Sequence, residues 1–413
     1  MSPKKIVIWD DDKENAEEWA SRIRDMIEEI NVGAQGPKEL ETEVSELVAR
    51  QGAFLKGGGR EKCEIAFDDA DVAIIDNDLF ELDRYAGLTA ETAAYLARVY
   101  TSCKIIVVVN LTTDIDFDLS LKGHPESKAD LHINDKVLDN PGLWSECPRR
   151  DSGYRPWHWP LLLDAPEQFA ARQEGLVQLL SREPEKTILD YFGFDQGARD
   201  RLSRSARGFL HPKIPAEEVT FFDFVTGNGN AVDPKEEKEG QKLMEVRDVE
   251  MIARICAARL HKWFERLVLG PQDILVDLPH LVQRFPFLLP ESGREDVNIW
   301  NQTVNLREIC GLSDPGLVEF ARFAAPDWVS RPLFWWPRLE EKEDLSDLLL
   351  KESKGNPCDF VFREDTSNFG TRESSHSFVA AFHSAFDQRY VSRPDDAEEI
   401  GVITYAPQSR LAR

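Results

Sequence analysis

Two groups of aspartates follow short apolar runs in the N-terminal third of the chain. Asp10, Asp11 and Asp12 come directly after "KKIVIW", and Asp76 and Asp78 follow "DVAII". Carboxylates held close together repel one another, so such a group is stable chiefly when a cation neutralises it. Ligation by oxygen atoms alone, with several waters retained, is what Mg²⁺ prefers. If the two groups meet in space, these residues predict a magnesium site.

The segments around these acids predict alternating strands and helices. Short apolar runs bounded by charge are typical of buried strands, and they occur at "KKIVIW", "CEIAF", "DVAIID", "CKIIVVV" and, more weakly, "ADLHIN". Apolar residues recur at helical spacing from Trp19 to Ile30, near 39–50 and in "LTAETAAYLARVY". Strands that alternate with helices form a parallel sheet covered on both faces. Residues 1–140 are therefore predicted to form an α/β domain with a doubly wound, five-stranded parallel sheet.

The acids occupy the place where such sheets bind ligands, which is the carboxyl ends of the strands at the point of strand reversal. If the first and third strands are neighbours, three or more carboxylates converge there. Each group also has a structural interpretation: Asp10 to Asp12 cap the next helix, and Asp76 and Asp78 are solvated loop residues. The coincidence of both groups at strand ends favours a functional site.

The segments "IVIWDDD", "ADVAIIDNDL" and "AGLT" together resemble the response-regulator receiver domain. The resemblance implies that Asp76 is the phosphoacceptor and that Asp10 and Asp11 match the family's acidic pair. It also implies that Mg²⁺ is bound by these three residues and by the backbone carbonyl of Asp78. A carboxylate attacks a phosphoryl group when the surrounding negative charge is neutralised. A histidine kinase or a small phosphodonor would supply that group.

The chain departs from the family's pattern after the fourth and fifth predicted strands. Asn110 stands where the family has a Ser or Thr, and Thr112 lies just beyond it. Asp135 aligns with the family's lysine, which Lys136 replaces only through a one-residue shift or a bulge. His132 takes the position of the switch aromatic. Asn110 would donate a hydrogen bond to the phosphoryl group and Lys136 would supply positive charge; otherwise the domain is a pseudo-receiver that serves as a docking scaffold.

The remaining two thirds of the chain predict a mainly helical α+β region. Residues 141–160 are rich in Pro, Gly and Trp and indicate a linker or an ordered connecting loop. Residues 161–413 follow as an output or interaction region of one or two subdomains. Strands are predicted at "CDFVF" and "IGVITYAP", with a helix at 374–391 between them. Trp335 and Trp336 are interpreted as buried core rather than as a patch for a partner.

A third hypothesis is an effector enzyme in the C-terminal region, gated by the N-terminal domain. Its candidate residues are close together in sequence: Asp359, Glu364, Asp365, His376 and His383. Their spacing matches no metal or nucleophile motif. Enzymatic activity beyond self-phosphorylation of Asp76 is therefore not indicated.

Composition limits the partners. A formal charge of −25, from 75 acidic and 50 basic side chains, disfavours direct contact with nucleic acid. The arginines of the most basic segment, 199–213, do not share one helical face. The six cysteines show no metal or disulfide spacing, and no stretch is typical of a signal peptide or membrane span. We expect a cytoplasmic two-component phosphoprotein that binds a histidine kinase or another protein, not a membrane, and a homodimer is compatible with the sequence.

Overall fold

The computed structural model describes residues 4–55, 63–79, 82–85, 87–110, 127–145, 155–157, 159–226, 248–342, 359–378 and 389–392. In its N-terminal third the strands are β1 Lys4–Trp9, β2 Ile30–Gln35, β3 Val72–Asp76, β4 Asp78–Leu79, β5 Leu88–Thr89, β6 Ile105–Asn110 and β7 Leu131–Asn134. The helices are α1 Lys13–Met26, α2 Pro37–Leu55 and α3 Ala90–Tyr100. Within these residues, five strands form one sheet in the order β2-β1-β3-β6-β7, and each neighbouring pair is parallel.

Alternate residues of the central strands face two separate core layers. In β1, Ile6 and Ile8 belong to the layer that contains α1, whereas Val7 and Trp9 belong to the layer that contains α2 and α3. A strand buried on both faces is apolar at every position, which is why "IVIW" shows no alternation. The predicted α/β class with a doubly wound parallel sheet is confirmed.

The strand order places the two acidic groups side by side. Strand β1 lies between β2 and β3, and its residues pair in register with β3 from Ile6 opposite Val72 to Trp9 opposite Ile75. The next residues along the two parallel strands are Asp10 and Asp76. Both therefore emerge at the same carboxyl edge, where the strand order reverses.

The prediction of the second strand at "CEIAF" is wrong. That segment leads into a 3-10 turn at Ala66–Asp69, and its Phe67 packs on Trp9 with ring centroids 3.9 Å apart. The second strand is instead "INVGAQ", β2, because α1 ends at Met26 and not at Ile30. Apolar residues alternate along β2, as expected for an edge strand covered on one face, and the helical prediction had absorbed its first residue.

The C-terminal region is mainly helical, as predicted. Its helices are α4 Pro141–Trp144, α5 Ala165–Arg182, α6 Ile188–Phe192, α7 Gln196–Asp200, α8 Arg204–Leu210, α9 Phe221–Thr226, α10 Val249–Trp263, α11 Leu278–Arg284, α12 Val297–Gln302, α13 Gly316–Glu319 and α14 Trp336–Glu340. Its strands are β8 Leu275–Asp277, β9 Leu333–Trp335, β10 Phe360–Arg363, β11 Asn368–Thr371, β12 His376–Phe378 and β13 Arg389–Val391. None of the described helices has the length and the apolar composition that crossing a membrane requires.

The C-terminal region packs directly on the N-terminal sheet. Phe169 of α5 belongs to the same apolar core as the α1-facing residues of the sheet, and α5 with α1 covers that face. Trp144 and Trp157, from the described part of residues 141–160, are buried in this core as well. Trp335 and Trp336 are also buried, which confirms the interpretation of that pair as core.

The helix predicted at 374–391 is wrong at both of its described ends. These ends are strands β12 and β13, which pair antiparallel with each other, and β13 also pairs with β10. The strand predicted at "CDFVF" is confirmed as β10. Pairing within a sheet outweighs the local helical spacing of this segment, because β propensity depends on neighbouring strands. The strand predicted at "IGVITYAP" lies outside the described residues.

Candidate functional site

The structure brings Asp10, Asp11 and Asp76 together at the carboxyl edge of the sheet. One carboxylate oxygen from each of the three lies within 4.8 Å of the others. Asp10 and Asp76 are buried, and Asp11 is half-buried. We call these three residues the acid cluster. Three carboxylates within this distance can hold a divalent cation, with water completing the coordination.

The three consecutive aspartates after β1 have different roles. Asp12 is the N-cap of α1, and its Oδ1 accepts a hydrogen bond of 2.8 Å from the backbone N–H of Glu14. Asp10 Oδ1 accepts one of 2.8 Å from the backbone N–H of Asp12. The capping interpretation therefore applies to Asp12, whereas Asp10 and Asp11 belong to the acid cluster.

Asp10 presents an oxygen that the described residues leave without a partner. Its Oδ2 is buried and accepts no hydrogen bond from any group in the described part of the chain. A buried carboxylate oxygen in this condition is costly. A cation bound between Asp10, Asp11 and Asp76 would satisfy it, and the all-oxygen donor set suits Mg²⁺. The residues present therefore fit the metal that the sequence predicted.

Burial and mutual repulsion raise the pKa of two of these acids. Burial, with the neighbouring charges of Asp11 and Asp12, raises the pKa of Asp10 from 3.8 to about 6. Burial and then the charge of Asp10 raise the pKa of Asp76 from 3.8 to about 7. Both shifts have the cause expected of like charges that share a site. A bound cation would oppose them.

Asp76 is also linked to the chain that follows it. Its Oδ2 accepts a hydrogen bond of 3.1 Å from the backbone N–H of Asp78. The side chain of Asp78 is exposed, and its Oδ1 accepts one of 3.0 Å from Asn77. Asp78 lies in the short strand β4, where it pairs with Thr89 of β5. The ligand predicted at Asp78 is the backbone carbonyl, and this role stays a prediction.

Asn110 and Lys136 have different positions relative to this edge. Asn110 is the last residue of β6 and pairs in register with Asn134, the last residue of β7. It stands one position beyond Val109, the partner of Asp76. Lys136 is exposed and lies in a 3-10 turn, where its backbone N–H donates to Asn134 Oδ1 at 3.0 Å. Their predicted catalytic roles stay predictions, and Thr112 is outside the described residues.

Asp135, which aligns with the family's lysine, lies against α1. Its Oδ2 is 3.7 Å from Arg22 Nη1, and its carbonyl accepts a hydrogen bond of 2.9 Å from Arg22 Nη2. The Asp135 carboxylate is thus paired with a cation of α1.

His132, at the position of the switch aromatic, has polar partners that sequence alone did not reveal. Its Nε2 is 3.3 Å from Glu91 Oε1 and 3.0 Å from Ser127 Oγ. Burial lowers the pKa of this imidazole, although the neighbouring Glu91 opposes the shift. No sequence motif marks Glu91 or Ser127: Glu91 reaches His132 from the first turn of α3, which is distant in sequence, and Ser127 reaches it from the segment that precedes β7.

Glu364 lies in a second group of buried charges in the C-terminal region. It accepts a hydrogen bond of 2.6 Å from Trp157 Nε1, and it pairs with Arg389 and with His280 Nε2 at 3.3 Å. His280 Nδ1 is in turn 2.6 Å from Asp277 Oδ1. We call Asp277, His280, Glu364 and Arg389 the charge network.

The charges of this network alternate in sign, and the pKa values reflect it. Burial alone would raise the pKa of Glu364, but Arg389 and His280 hold it at about 2. Burial would likewise raise the pKa of Asp277, but His280 and Arg331 hold it at about 2. The described carboxylates of this network are thus compensated by protein cations, in contrast to those of the acid cluster.

The candidate residues of the effector-enzyme hypothesis have different partners. Glu364 belongs to the charge network, whereas both carboxylate oxygens of Asp365 accept hydrogen bonds of 2.9 Å from the backbone N–H of Ser392. His376 is exposed, and His383 lies outside the described residues. Glu364 and Asp365 therefore make contacts that join separate segments of the C-terminal region.

Arginines of the basic segment 199–213 are paired individually with acids. Arg199 lies 2.6 Å from Asp190, Arg207 lies 2.9 Å from Glu217, and Arg201 pairs with Glu340. Pairing with acids reduces the positive potential that attraction to phosphates requires.

Neither protein-family models nor curated proteins match this chain. Among solved structures, the chain is similar to the RcsB response regulator of Salmonella typhimurium, described for its conformational dynamism in DNA interaction. The sequences are 15% identical over 64% of this chain and 93% of that chain, with a TM-score of 0.21. A superposition at that score is too poor to support an inference, so the fold assignment depends on strand order and register.

Proposed function

We propose that this chain is a signalling protein whose N-terminal domain binds Mg²⁺ at the acid cluster and accepts a phosphoryl group on Asp76. Phosphorylation would then regulate the C-terminal region in its interaction with another protein. The main support is the meeting of Asp10, Asp11 and Asp76 within 4.8 Å, with a buried oxygen of Asp10 that lacks a partner among the described residues.

The residues of the acid cluster would divide the chemistry between them. Asp10, Asp11 and Asp76 would hold the ion together with the carbonyl of Asp78. When bound, Mg²⁺ neutralises the crowded carboxylates and polarises the phosphoryl oxygens. An oxygen of Asp76 would form a bond to phosphorus while the bond from phosphorus to the donor breaks, and acetyl phosphate would thus release acetate with the electron pair. Because the pKa of Asp76 is about 7 without an ion, ion binding would also keep this nucleophile ionised.

Phosphate-affinity electrophoresis tests this proposal. Incubation of the full chain with acetyl phosphate and Mg²⁺ should produce a retarded band that Asp76→Asn abolishes and chelation of Mg²⁺ prevents. Asp78→Asn is the matched control, because the side chain of Asp78 is exposed and its proposed ligand atom belongs to the backbone. A retarded band of equal intensity in Asp76→Asn, or in the absence of divalent ions, would contradict the proposal.

A second candidate function is a pseudo-receiver that binds partners without phosphorylation. It is favoured by the contact between Asp135 and Arg22 and by the exposure of Lys136 in its 3-10 turn, since receivers have a lysine near their acids. Under this alternative, calorimetry would detect Mg²⁺ binding while acetyl phosphate left the protein unmodified. Protein partners captured by the wild type would then bind Asp76→Asn equally well.

A further inference from the structure

Helix α10 contacts the N-terminal domain through two basic side chains. Arg254 donates hydrogen bonds from Nε to the carbonyl of Arg98 at 3.0 Å and from Nη2 to that of Val99 at 2.6 Å. These carbonyls belong to the last turn of α3, where a helix leaves its carbonyls without internal partners. Arg254 therefore caps α3 from another part of the chain. Its guanidinium charge is also favourable near the negative end of the helix dipole.

Lys262 makes the second contact, at the segment that precedes β7. Its buried Nζ donates to the carbonyl of Ser127 at 3.0 Å and to the carbonyl of Ala129. The backbone N–H of Lys128, between them, donates to Glu91 Oε2 at 3.3 Å. Lys262 is thus joined to the first turn of α3 through this short segment.

The two contacts hold opposite ends of α3. Arg254 and Lys262 are about 12 Å apart along α10 at 1.5 Å per residue, and Glu91 and Val99 have the same separation along α3. Because Arg254 is at the end of α3 and Lys262 is near its beginning, the helices run antiparallel. A displacement of α3 would therefore act on α10 at both positions.

The beginning of α3 is connected to the acid cluster by a short series of contacts. Asp78 donates its backbone N–H to Asp76 Oδ2 at 3.1 Å and pairs with Thr89 across β4 and β5. Thr89 is the N-cap of α3, and its Oγ1 accepts a hydrogen bond of 3.3 Å from the backbone N–H of Thr92. A ligand that binds Asp76 Oδ2 shares this oxygen with the backbone N–H of Asp78, and Asp78 pairs with the residue that caps α3.

We propose that α3 transmits occupancy of the acid cluster to α10, with Arg254 and Lys262 as the positioning residues on α10. This inference rests on the proposed function, because a ligand at Asp76 is its input. Neutralisation of the cluster relieves repulsion at the sheet edge and orders β4, β5 and the first turn of α3. Helix α10 is ordered with it, since the two helices are joined at both ends.

Hydrogen exchange of the full-length protein tests the transmission. In the wild type, Mg²⁺ with acetyl phosphate should slow exchange in residues 90–100 and 249–263 by about threefold or more. Lys262→Met should keep the slowing at 90–100 and lose it at 249–263. Glu250→Gln is the control, because Glu250 is an exposed residue of the same helix and should behave as the wild type.

Reciprocity gives an independent measurement. A coupling between two positions changes both by the same factor, so Lys262→Met should change the calorimetric dissociation constant for Mg²⁺ by about threefold or more, and Glu250→Gln should not. Should Lys262→Met fail to fold, Thr89→Val removes the cap at the beginning of α3 and leaves the contacts of α10 in place. It should likewise abolish the slowing at 249–263.

The outcomes separate this inference from the proposed function. If Asp76 is phosphorylated and exchange at 249–263 is unchanged, the transmission is wrong and the proposed function stands. If exchange slows equally at 249–263 in the wild type and in both Lys262→Met and Thr89→Val, the assigned contacts are wrong. If neither Mg²⁺ binding nor phosphorylation occurs, the proposed function fails and this inference fails with it.

Discussion

The acid cluster and the charge network are both groups of buried ionisable side chains, but their electrostatics are opposite. In the acid cluster, aspartates face aspartates, and burial with repulsion raises the pKa of Asp76 to about 7. In the charge network, carboxylates alternate with cations, and the pKa of Glu364 is held at about 2. The ionised form of a carboxylate is thus disfavoured in the acid cluster and favoured in the charge network.

The difference separates a candidate binding site from a structural one. In the charge network, cations of the protein itself compensate the buried carboxylates. Its contacts join β8, α11, β13 and the residue that follows β10. In the acid cluster, a bound cation would compensate the like charges. Ionisable groups with perturbed pKa values concentrate at functional sites. The sign of the pKa shift is therefore more informative here than its size.

Breaking the charge network should produce the largest effect. Glu364→Gln removes the buried carboxylate that pairs with Arg389 and with His280, and we expect a loss of about 3–5 kcal/mol in the free energy of unfolding. Urea denaturation followed by circular dichroism measures it. Glu373→Gln, a change at an exposed residue of the same region, should leave the unfolding free energy within about 0.5 kcal/mol of the wild type.

A small effect of Glu364→Gln would remove the contrast between the two regions. It would mean that water or a rearranged side chain replaces the lost charge, and that the charge network is not matched within the protein. Phosphorylation of Asp76 by acetyl phosphate should persist in any Glu364→Gln protein that remains folded, because the acid cluster and the charge network share no residue.

Removing a charge from the acid cluster should raise the free energy of unfolding, in contrast to the loss expected for Glu364→Gln. The pKa of Asp76 is about 7 in the folded protein and close to 3.8 when unfolded, so the folded state binds the proton more tightly. The stability due to this group is complete below pH 4 and is lost as the pH rises to about 7. Without divalent ions at pH 8, Asp76→Asn should therefore stabilise the protein by about 1–3 kcal/mol.

The pH dependence provides the control for that measurement. Below pH 4 the carboxyl group of Asp76 is protonated in the folded protein and largely protonated in the unfolded chain, so Asp76→Asn should have little effect on the unfolding free energy. Asp25→Asn, an exposed change on α1, should have little effect at either pH. A loss of stability at pH 8 in Asp76→Asn would mean that its ionised carboxylate already has a compensating partner in the folded chain.

The parts of the fold that sequence predicted are those set by local pattern. Runs such as "IVIW" and "IIVVV" identify strands buried on both faces, and acids directly after them identify a sheet edge. The sequence does not predict β2, because one side of an edge strand is open and its alternation is weak, and only its first residue, Ile30, falls within the predicted first helix. Ser127 and Lys262 are distant in sequence, so their contact follows from tertiary packing that no local pattern encodes.

The charge network illustrates the same limit more sharply. The sequence indicates Glu364 as a candidate acid, but its partners Trp157, His280 and Arg389 come from three other segments of the chain. Whether a buried acid is matched by cations depends on those distant segments. Sequence could therefore indicate that acids meet at the sheet edge, because one sheet positions them, but it could not indicate that Glu364 is neutralised.

The smallest expected effect is the stabilisation of the folded protein by Mg²⁺, which tests whether the ion binds at the acid cluster. Mg²⁺ at ten times its dissociation constant should stabilise the wild type at pH 8 by about 1.4 kcal/mol, because a ligand that binds only the folded state adds this amount. At pH 5.5 protons compete for Asp10 and Asp76, whose pKa values are about 6 and about 7, and the stabilisation should diminish. Thermal unfolding with and without Mg²⁺ measures both.

Two variants decide whether the ion acts at the acid cluster. Asp10→Asn removes the charge of the residue whose Oδ2 lacks a partner among the described groups, and it should abolish most of the stabilisation by Mg²⁺ at pH 8. A folded Glu364→Gln protein should retain that stabilisation in full, because its acid is already matched by protein cations. Equal stabilisation of wild type and Asp10→Asn would place the bound ion elsewhere, and the electrostatic contrast between the two regions would then carry no functional meaning.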